Sequence, residues 1–440
     1  MDPRAPAVPE RLPATLRAYR LLWAAATPLA PLLFAHRLRQ GKEQRARLGE
    51  RRGESSIARP PGSLIWVHGA SVGELTSALP LIERVRERHF NVLVTTGTVT
   101  SAGLARQRLA RGALHQFVPL DSPRFVRRFI RHWRPDLALF VESDLWPNLM
   151  LEAASEGVPM ILVNGRLSES SYRRWRRFPR TIANLLHRFD LCLARTAADG
   201  ARYEELGAPR VVTTGNLKLD VPAPPTNPDV LSSLQKIISG RPVIAATSTH
   251  PGEEQLVIEA HKRLRPRFPK LLTIIAPRHP ERGPTIADLV KRAGVTPRLR
   301  SRRERPDGAT DIYIVDTMGE LGLIYRLAPI VFIGGSLVPH GGQNPIEAAK
   351  LGAAILHGPH VGNFAEIYAA LDAANGARLI PRGGDLGESI AAWLSDPGAR
   401  DHAADAARRT VDELGGALDR TMRALDPYLL QLRLRQARHA

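Results

Sequence analysis

The chain has 440 residues, which is too long for one ordinary hydrophobic core and predicts two or three domains. Hydrophobic residues make up 43% of the chain and charged residues 24%, and this balance excludes disorder in bulk. The 62 Lys and Arg outnumber the 43 Asp and Glu, and the net charge of +19 favours polyanionic partners such as nucleic acid, an anionic membrane or phosphorylated substrates.

The chain begins with a segment, residues 1–40, whose pattern predicts attachment to a membrane. Its apolar centre, Leu21–Ala35, is an uncharged run of 15 residues with arginines on both sides. Spanning a bilayer takes roughly 17–25 residues, and Pro28 and Pro31 would disturb a spanning helix. We therefore expect a helix that lies in the plane of an anionic membrane surface. A core helix of the first domain is the alternative.

Residues 41–220 are predicted to form a Rossmann-like domain with a parallel, helix-covered sheet, because apolar strands alternate with helical patterns. Glycine and polar residues follow the strands, at the carboxyl edge where open α/β sheets bind ligands. The predicted strands are Leu64–Val67, Asn91–Thr95, Gln116–Pro119, Leu137–Val141, Met160–Val163, Leu191–Ala194 and Val211–Thr214.

The proline-rich stretch 221–230 is interpreted as a linker, and residues 231–410 as a second Rossmann-like domain. Two such domains would leave a cleft between their facing carboxyl edges. Residues 411–440 are expected to form a C-terminal helical segment. The predicted strands of the second domain are Val243–Ala246, Leu272–Ala276, Asp311–Val315, Ile330–Ile333 and Ala354–His357.

The most informative stretch is Ile330–Leu351, in which an apolar strand leads into a glycine loop and then into a helix predicted to start near Asn344. Pro345 suits a first helical turn, and Glu347 favours its positive end. A glycine loop before a helix start presents backbone N–H groups to an anion, usually a phosphate. Glu347 could accept hydrogen bonds from sugar hydroxyls. The alternative is an ordinary βα turn in a parallel sheet.

Several other classes of function fit the sequence less well. The first βα turn reads HGASVGE, which lacks the G-x-G-x-x-G spacing of a nicotinamide dehydrogenase. Aromatic residues make up only 5% of the chain, and no RNA-recognition or helix-turn-helix pattern occurs. Neither an Asp-x-Asp nor a zinc spacing indicates a metal site. A metal-free transferase that uses a nucleotide-activated sugar remains.

Such a transferase needs a base near the acceptor hydroxyl and positive groups for the leaving phosphate. Four residues that follow predicted strands are candidates, each with a structural alternative. Glu74 could be the base or only a glutamate at a helix N-terminus that offsets the helix dipole, and Glu142 could act in the site or in a buried ion pair. Lys218 and Arg278 could meet the phosphate or be ordinary surface residues.

Eight motifs occur in one order along the chain: WVHGASVGE, TTGTVTSA, VESDLWPN, NGRLS, TGNLKLD, APRHPER, DTMGELGLIY and FIGGSLVPHGGQNPIEAA. Together they resemble the Kdo transferases of lipopolysaccharide assembly, over about residues 16–410. Those enzymes move 3-deoxy-D-manno-octulosonic acid (Kdo) from CMP-Kdo to the lipid A precursor lipid IVA. The resemblance implies a GT-B fold with an N-terminal membrane-associated helix, located at the cytoplasmic face of the cell inner membrane. It implies no cofactor, no metal and no nucleic acid.

The resemblance also implies roles for individual residues. Glu74 matches the family's proton acceptor, and Glu142 and Lys218 match positions that stabilise the transition state. The implied reaction is a metal-independent, inverting transfer, in which Glu74 takes a proton from an acceptor hydroxyl, that oxygen attacks Kdo, and CMP leaves. The residues that would hold the CMP of the donor are Pro277, Arg278, Met318, Gly319, Glu320, Asn344, Pro345, Ile346 and Glu347.

Three residues depart from the pattern expected for the family. Gln343 stands where His is expected, Gly165 where a small residue such as alanine is expected, and Arg195 where Gln is expected. These positions bear on loop shape and donor contacts rather than on the carboxylates. Two alternatives stay open: a GT-B glycosyltransferase that uses another nucleotide sugar, and a non-catalytic protein on that scaffold that binds membranes or polyanions.

Overall fold

The computed structural model describes residues 11–109, 112–142, 145–381 and 383–439. The chain divides into two compact units, each built around its own sheet. The first comprises Met1–Val221 and Gly415–Ala440, and the second comprises Pro222–Leu414. Residues 1–10 of the predicted membrane-anchoring segment and residues 143–144 of the VESDLWPN motif lie outside the described residues.

Seven strands of the described residues form the parallel sheet of the first unit: β1 (Leu64–His68), β2 (Asn91–Thr96), β3 (Leu114–Phe117), β4 (Leu137–Val141), β5 (Met160–Gly165), β6 (Leu191–Ala194) and β7 (Val211–Thr213). Their order across the sheet is β3-β2-β1-β4-β5-β6-β7. Helical crossovers return the chain between parallel neighbours. The order reverses between β1 and β4, and open α/β sheets bind ligands at such a reversal.

Alternate residues of the central strands belong to two different hydrophobic cores. In β1, Leu64 and Trp66 pack in one core, and Ile65 and Val67 pack in the other. Because successive side chains of a strand point to opposite faces, both faces of the sheet are buried. The continuous apolar runs in the sequence reflect this two-sided burial.

The helices of the first unit cover these two faces, and the N-terminal pair lies at its surface. Three further turns of the unit, Thr27–Leu29, Arg45–Arg47 and Leu217–Leu219, are 3₁₀-helical. The α-helices up to residue 221 are α1 (Ala14–Ala26), α2 (Ala30–Arg39), α3 (Leu48–Arg51), α4 (Val72–Glu87), α5 (Val99–Arg108), α6 (Pro123–Trp133), α7 (Pro147–Ser155), α8 (Glu169–Trp175), α9 (Pro179–Leu186) and α10 (Ala197–Glu205).

The second unit repeats this architecture. Its described residues form a parallel sheet in the order β10-β11-β9-β8-β12-β13-β14, which reverses between β8 and β12. The strands are β8 (Val243–Thr249), β9 (Leu272–Pro277), β10 (Pro297–Leu299), β11 (Ile312–Ile314), β12 (Ile330–Ile333), β13 (Ala354–His357) and β14 (Ala377–Leu379).

One large core of the second unit packs helices against the central strands β8, β9 and β12. Short 3₁₀ turns occur at Pro280–Arg282, Arg300–Arg302 and Gly383–Asp385. The helices are α11 (Pro228–Ile237), α12 (Glu253–Leu264), α13 (Gly283–Arg292), α14 (Leu321–Leu327), α15 (Ile346–Lys350), α16 (Ala365–Ala373), α17 (Leu386–Ser395) and α18 (Pro397–Glu413).

The last helix, α19 (Ala417–His439), belongs to the first unit. Its start is held by Asp220, whose carboxylate accepts hydrogen bonds from the backbone N–H groups of Gly416 (2.7 Å) and Leu418 (2.6 Å). Leu425 and Leu429 pack in the same core as Ile65 and Val67. The C-terminal segment therefore completes the hydrophobic core of the first unit.

The strands that the sequence predicts are present, with three kinds of correction. β10 and β14 were not predicted, and β3 begins at Leu114 rather than Gln116. α11 starts at Pro228, inside the stretch predicted as a linker, because Asn227 Oδ1 caps it by accepting the N–H groups of Asp229 and Val230. The helix predicted near Asn344 starts at Ile346.

Candidate active site

Glu74 lies at the start of α4, in the turn that follows β1. Its side chain closes a capping box: Oε2 accepts hydrogen bonds from the backbone N–H groups of Ala70 (2.6 Å) and Ser71 (3.2 Å), and Ser71 Oγ accepts one from the N–H of Glu74 (3.3 Å). Glu74 therefore caps the helix, a structural role that the sequence did not predict beyond a glutamate that offsets the helix dipole. The same bonds fix the orientation of this half-buried carboxylate at the carboxyl edge of β1.

Glu142 follows β4, the strand next to β1 at the reversal of the sheet. Its φ of +64° lies in the left-handed region, and its N–H donates a hydrogen bond to the carbonyl of Val163 (2.9 Å). Its Oε1 lies 2.7 Å from Lys218 Nζ, and the side chains are 12% and 19% exposed. The structure thus contains the ion pair that the sequence gave as an alternative for Glu142, and Lys218 is not a surface lysine.

Lys218 is positioned by two asparagines. It lies in the 3₁₀ turn Leu217–Leu219, and its N–H donates to Oδ1 of Asn216 (3.1 Å). The N–H of Leu217 donates to Oδ1 of Asn164 (3.0 Å), which belongs to the NGRLS motif. A hydrogen bond between the NGRLS and TGNLKLD motifs, which are distant in sequence, therefore fixes the position of the turn that carries Lys218.

Two of the three unexpected residues, Gly165 and Arg195, have a structural account. A Cβ on Gly165 would lie 3.0 Å from Cε2 of Tyr203 and 3.1 Å from Cδ2 of Leu162, so these side chains occupy the space of an alanine methyl. Nε of Arg195 lies 3.6 Å from Oδ2 of Asp199, in an ion pair at the start of α10. Gly165 therefore packs against Tyr203, whose hydroxyl lies 3.5 Å from the backbone carbonyl oxygen of Glu142, and Arg195 pairs with an acidic residue of α10.

The glycine loop after β12 lies at the reversal of the second sheet. A Cβ on Gly334 would lie 2.6 Å from the carbonyl oxygen of Ser248, so β12 and the end of β8 approach each other only because this residue has no side chain. Gly335 has a φ of +66°, which other residues rarely adopt. The glycines are therefore required by the backbone at this edge.

A buried carboxylate, Glu253, holds this loop in place. Its oxygens accept hydrogen bonds from the N–H groups of His250 (2.9 Å), Gly335 (2.7 Å), Ser336 (3.0 Å) and Leu337 (3.0 Å). The residue is fully buried. The backbone N–H groups of residues 335–337 in the glycine loop therefore already donate to a carboxylate of the protein. This role of Glu253 was not predicted from the sequence, although the polar segment TSTHPGEE was placed after the first strand of the domain.

Histidines also gather at this edge. The rings of His250 and His340 stack with their centroids 4.1 Å apart, and Nε2 of His250 lies 3.3 Å from the amide nitrogen of Gln343. Burial, with further contributions from His340 and His279, lowers the pKa of His250. A neutral imidazole can accept the amide hydrogen, so Gln343 and His250 are complementary. Within the described residues, no group of three or more His, Cys, Asp or Glu could hold a metal ion.

The predicted donor residues lie around the same sheet edge, in three segments. Pro277 ends β9, and the exposed Arg278 follows it with its N–H bonded to the carbonyl of Thr249 (3.0 Å). This backbone bond fixes the start of the Arg278 side chain next to the end of β8. Arg278 is thus placed at the carboxyl edge, where its guanidinium can meet a phosphate.

The second donor segment is Met318–Glu320. Met318 is 71% exposed, and Gly319 has a φ of +83°. Burial would raise the pKa of Glu320, but hydrogen bonds from Arg300 and Thr317 lower it below its ordinary value. Arg300 and Glu320 also line a cavity of about 610 Å³ that Met318 borders. The segment thus presents an apolar side chain beside a fixed ion pair.

The third donor segment, Asn344–Glu347, differs from the prediction. α15 has five residues, and Oδ1 of Asn344 accepts the N–H of Ile346 (3.0 Å). Nδ2 of Asn344 donates to Oε1 of Glu347 (3.4 Å). The N–H of Ile346 thus already has an acceptor within the protein, and phosphate binding by this helix start stays a prediction. Glu347 remains half-buried.

The chain is similar to known proteins over most of its length. Residues 43–221 match the family described as 3-Deoxy-D-manno-octulosonic-acid transferase (kdotransferase). A 3-deoxy-D-manno-octulosonic acid transferase of Haemophilus influenzae is 34% identical over 88% of this chain and 92% of its own length. One of Bordetella pertussis is 34% identical over 93% of this chain and 99% of its own length.

The fold also has solved counterparts. A crystal structure of a glycosyltransferase from Rickettsia africae has a TM-score of 0.58 with 12% identity, and the match covers 84% of this chain and 99% of that chain. At this identity the likeness concerns the fold alone. Together with the two parallel sheets and their interleaved helices, it confirms the predicted α/β class of the GT-B type.

Proposed function

We propose, from the premise that this chain belongs to the 3-deoxy-D-manno-octulosonic acid (Kdo) transferase family, that it transfers Kdo from CMP-Kdo to the lipid A precursor lipid IVA in lipopolysaccharide biosynthesis. The observation that carries the residue assignment is the position of Glu74. It is fixed at the reversal of the first sheet, at the start of α4, and the strand before it, β1, is the neighbour of β4, which leads into Glu142. A carboxylate held there is suited to act as a base.

In the proposed reaction Glu74 takes the proton of an acceptor hydroxyl. The hydroxyl oxygen forms a bond to the anomeric carbon of Kdo, and the bond from that carbon to the phosphate oxygen of CMP breaks. A single displacement inverts the anomeric centre. Negative charge grows on the leaving phosphate, and we assign its stabilisation to Arg278, Lys218 and the helix start near Asn344.

Lys218 has a second role in this proposal, since it is paired with Glu142. The ion pair keeps the Lys218 ammonium in one position, and the Glu142 carboxylate offsets part of the positive charge of that ammonium. An ammonium held in this way needs little reorganisation when negative charge develops nearby. Glu142 would therefore act on the transition state by orienting Lys218.

We further propose that the protein lies at the cytoplasmic face of the inner membrane with α1 and α2 in the membrane plane. The helical stretch Ala14–Arg39 is long and apolar enough to cross a membrane, with only 11% of its apolar window buried. One face of α1 is bonded to the body of the unit: Tyr19 donates to Asp121 (2.9 Å), and Arg20 donates to Glu152 (2.7 Å).

The opposite face of the two helices carries exposed leucines at positions 21, 22, 29, 32 and 33, which we call the apolar face. A spanning helix would have to break the bonds of Tyr19 and Arg20 and bring Arg20 into the hydrocarbon, which is costly. A helix in the membrane plane keeps these bonds and buries the leucines.

The test of the base is a pair of substitutions at Glu74. Glutamine can close the same capping box but cannot take a proton, whereas alanine loses both functions. We expect Glu74→Gln to lower transfer from CMP-Kdo to lipid IVA by about 10²–10⁴-fold with an unchanged melting temperature. Glu74→Ala should lose transfer and also about 1 kcal/mol of stability.

Glu83→Gln is the matched control, because it makes the same change on an exposed residue of the same helix. The products are identified by mass spectrometry. A chelator of divalent metal ions should leave the rate of transfer unchanged, because the proposed reaction needs no metal. Substantial turnover by Glu74→Gln would remove Glu74 as the base. Turnover of another nucleotide sugar but not of CMP-Kdo would replace the proposed donor.

A further inference from the structure

A cavity of about 330 Å³ lies within the first unit, between α2 and the turns that follow β1, β2 and β3. Most of its lining is apolar, with Leu33 and Phe34 from α2, Val118 and Leu120 after β3, and Trp146 before α7. Pockets for small ligands span about 300–1,000 Å³, so this volume suits one slender apolar group rather than a whole lipid.

One wall of the cavity is the turn that holds Glu74. Ala70 and Ser71 line the cavity, and their N–H groups are the donors to Oε2 of Glu74. A group bound in the cavity therefore lies against the backbone that orients the carboxylate. This adjacency connects the cavity with the acceptor rather than with the nucleotide, whose predicted residues all belong to the second unit.

The mouth of the cavity connects with the apolar face of the N-terminal helices. Leu33 is 39% exposed and belongs to both the cavity lining and the apolar face, where it continues the row of exposed leucines. Phe34, which also lines the cavity, is buried in a cluster with Ala30 and Phe125. An apolar chain could thus pass from the surrounding lipid into the cavity without crossing a polar surface.

The polar part of the lining carries an excess of positive charge. Oε1 and Oε2 of Glu43 accept hydrogen bonds from Nε of Arg37 (2.8 Å) and Nε of Arg51 (2.9 Å). Arg51 also donates to the carbonyls of Val118 (3.1 Å) and Gly97 (2.7 Å). Two guanidinium groups share one carboxylate, so the cavity presents net positive charge, which is complementary to a phosphorylated lipid headgroup.

We infer that this cavity receives one acyl chain of the lipid acceptor and so places the acceptor sugar beside Glu74. The inference rests on the proposed function for the identity of the acceptor. The cavity supplies the apolar site, Leu33 supplies the entry from the membrane, and the pair of arginines favours an acidic headgroup. Binding energy from a remote part of the substrate then serves to orient the reacting hydroxyl.

The first measurement uses acceptors that are soluble as monomers: the phosphorylated glucosamine disaccharide with a single acyl chain of increasing length, below its micelle concentration. A chain that moves from water into the cavity gains about fourfold in affinity per methylene. We expect the apparent KM to fall at this rate and then to level off when the cavity is full. An apparent KM that does not depend on chain length would overturn the inference.

The second measurement separates the cavity from membrane attachment with two variants on one helix. Leu33→Asp and Leu32→Asp each place a charge on the apolar face, but only Leu33 lines the cavity. In detergent-free solution, we expect the ratio of kcat/KM for acylated over deacylated acceptor to fall about tenfold in Leu33→Asp and to be unchanged in Leu32→Asp. Equal ratios in the two variants would count against the cavity.

A binding readout keeps the inference testable without turnover. A brominated acyl chain on the same disaccharide should quench the fluorescence of Trp146, measured as the difference between the wild-type protein and Trp146→Phe. If no acceptor is turned over, the proposed function fails, and quenching that is lost in Leu33→Asp still supports the cavity. Absence of quenching, or equal affinity for a lysophospholipid with the same chain, would overturn the assignment to the acceptor.

Discussion

The glycine loop of the second unit depends on a single buried carboxylate, and replacing Glu253 by glutamine tests this dependence. Glu253 accepts four backbone hydrogen bonds of 2.7 to 3.0 Å, two on each oxygen. Glutamine keeps one oxygen and turns an NH₂ group towards the other two donors. Two hydrogen bonds to a charged group are lost, each worth about 1.5–3 kcal/mol, so we expect a loss of about 3–6 kcal/mol.

For a unit of this size, 1 kcal/mol changes the melting temperature by about 2–4 °C, which predicts a decrease of about 6–24 °C for the second unit. The assay is differential scanning calorimetry of Glu253→Gln in the presence and absence of CMP. Because the loop is displaced in the variant, CMP should raise the melting temperature of the wild-type protein and not that of Glu253→Gln.

The matched control is Glu259→Gln, which makes the same change of charge on an exposed position of the same helix, α12. Substitutions of this kind usually change stability by less than about 0.5 kcal/mol. If Glu253→Gln unfolded at the same temperature as Glu259→Gln, the claim that the buried carboxylate holds the glycine loop would be refuted.

Two further predictions concern pH and the ion pair. Burial lowers the pKa of His68 and His261 from 6.5 to about 4 and that of His115 to about 3, so the unfolded chain binds more protons than the folded protein below pH 6.5. The stability that the neutral imidazoles contribute is complete above pH 6.5 and is lost as pH falls through the folded pKa values, by at most about 3 kcal/mol each for His68 and His261. His68→Gln should flatten this dependence, measured by denaturant unfolding at several pH values. Lys218→Met should lower the free energy of unfolding by about 3 kcal/mol, because Glu142 then stays buried without its cation. The double variant Lys218→Met with Glu142→Gln should recover stability but not Kdo transfer, and recovery of transfer would contradict the role given to Lys218.

The central strands could be predicted because both faces of each sheet are buried. Their runs are apolar throughout, as in Ile330–Ile333, and burial on two sides permits few other sequences. The strands that were missed, β10 and β14, are the two edges of the second sheet and have three residues each. Leu379 of β14 is 46% exposed, so an edge strand carries too little apolar pattern to be recognised.

The candidate site could be predicted only in part, because its contacts connect residues that are distant in sequence. The turn after β4 identified Glu142, but its pairing with Lys218 arises only when β4 and the segment after β7 reach the same sheet edge. The role of Asp220 is similar, since its partners Gly416 and Leu418 lie almost at the other end of the chain. No local pattern distinguishes such residues from polar residues of a loop.

The two units show how the same local sequence can place a carboxylate in two different environments. In each unit a Gly-Glu pair follows the first strand, as Gly73–Glu74 after β1 and Gly252–Glu253 after β8. Both glutamates accept backbone N–H groups at the reversal of their sheet. Glu253 is fully buried and both of its oxygens are bonded to the backbone of the glycine loop.

Glu74 differs in the two properties that matter for a base. It is half-buried rather than buried, and the backbone N–H groups of its capping box bind only Oε2. Backbone hydrogen bonds orient the half-buried carboxylate of Glu74, as the proposed base requires, whereas Glu253 is enclosed by the glycine loop of its own unit. The difference between the two glutamates therefore comes from the loop that closes over one of them, which in the second unit is the Gly334–Leu337 segment after β12.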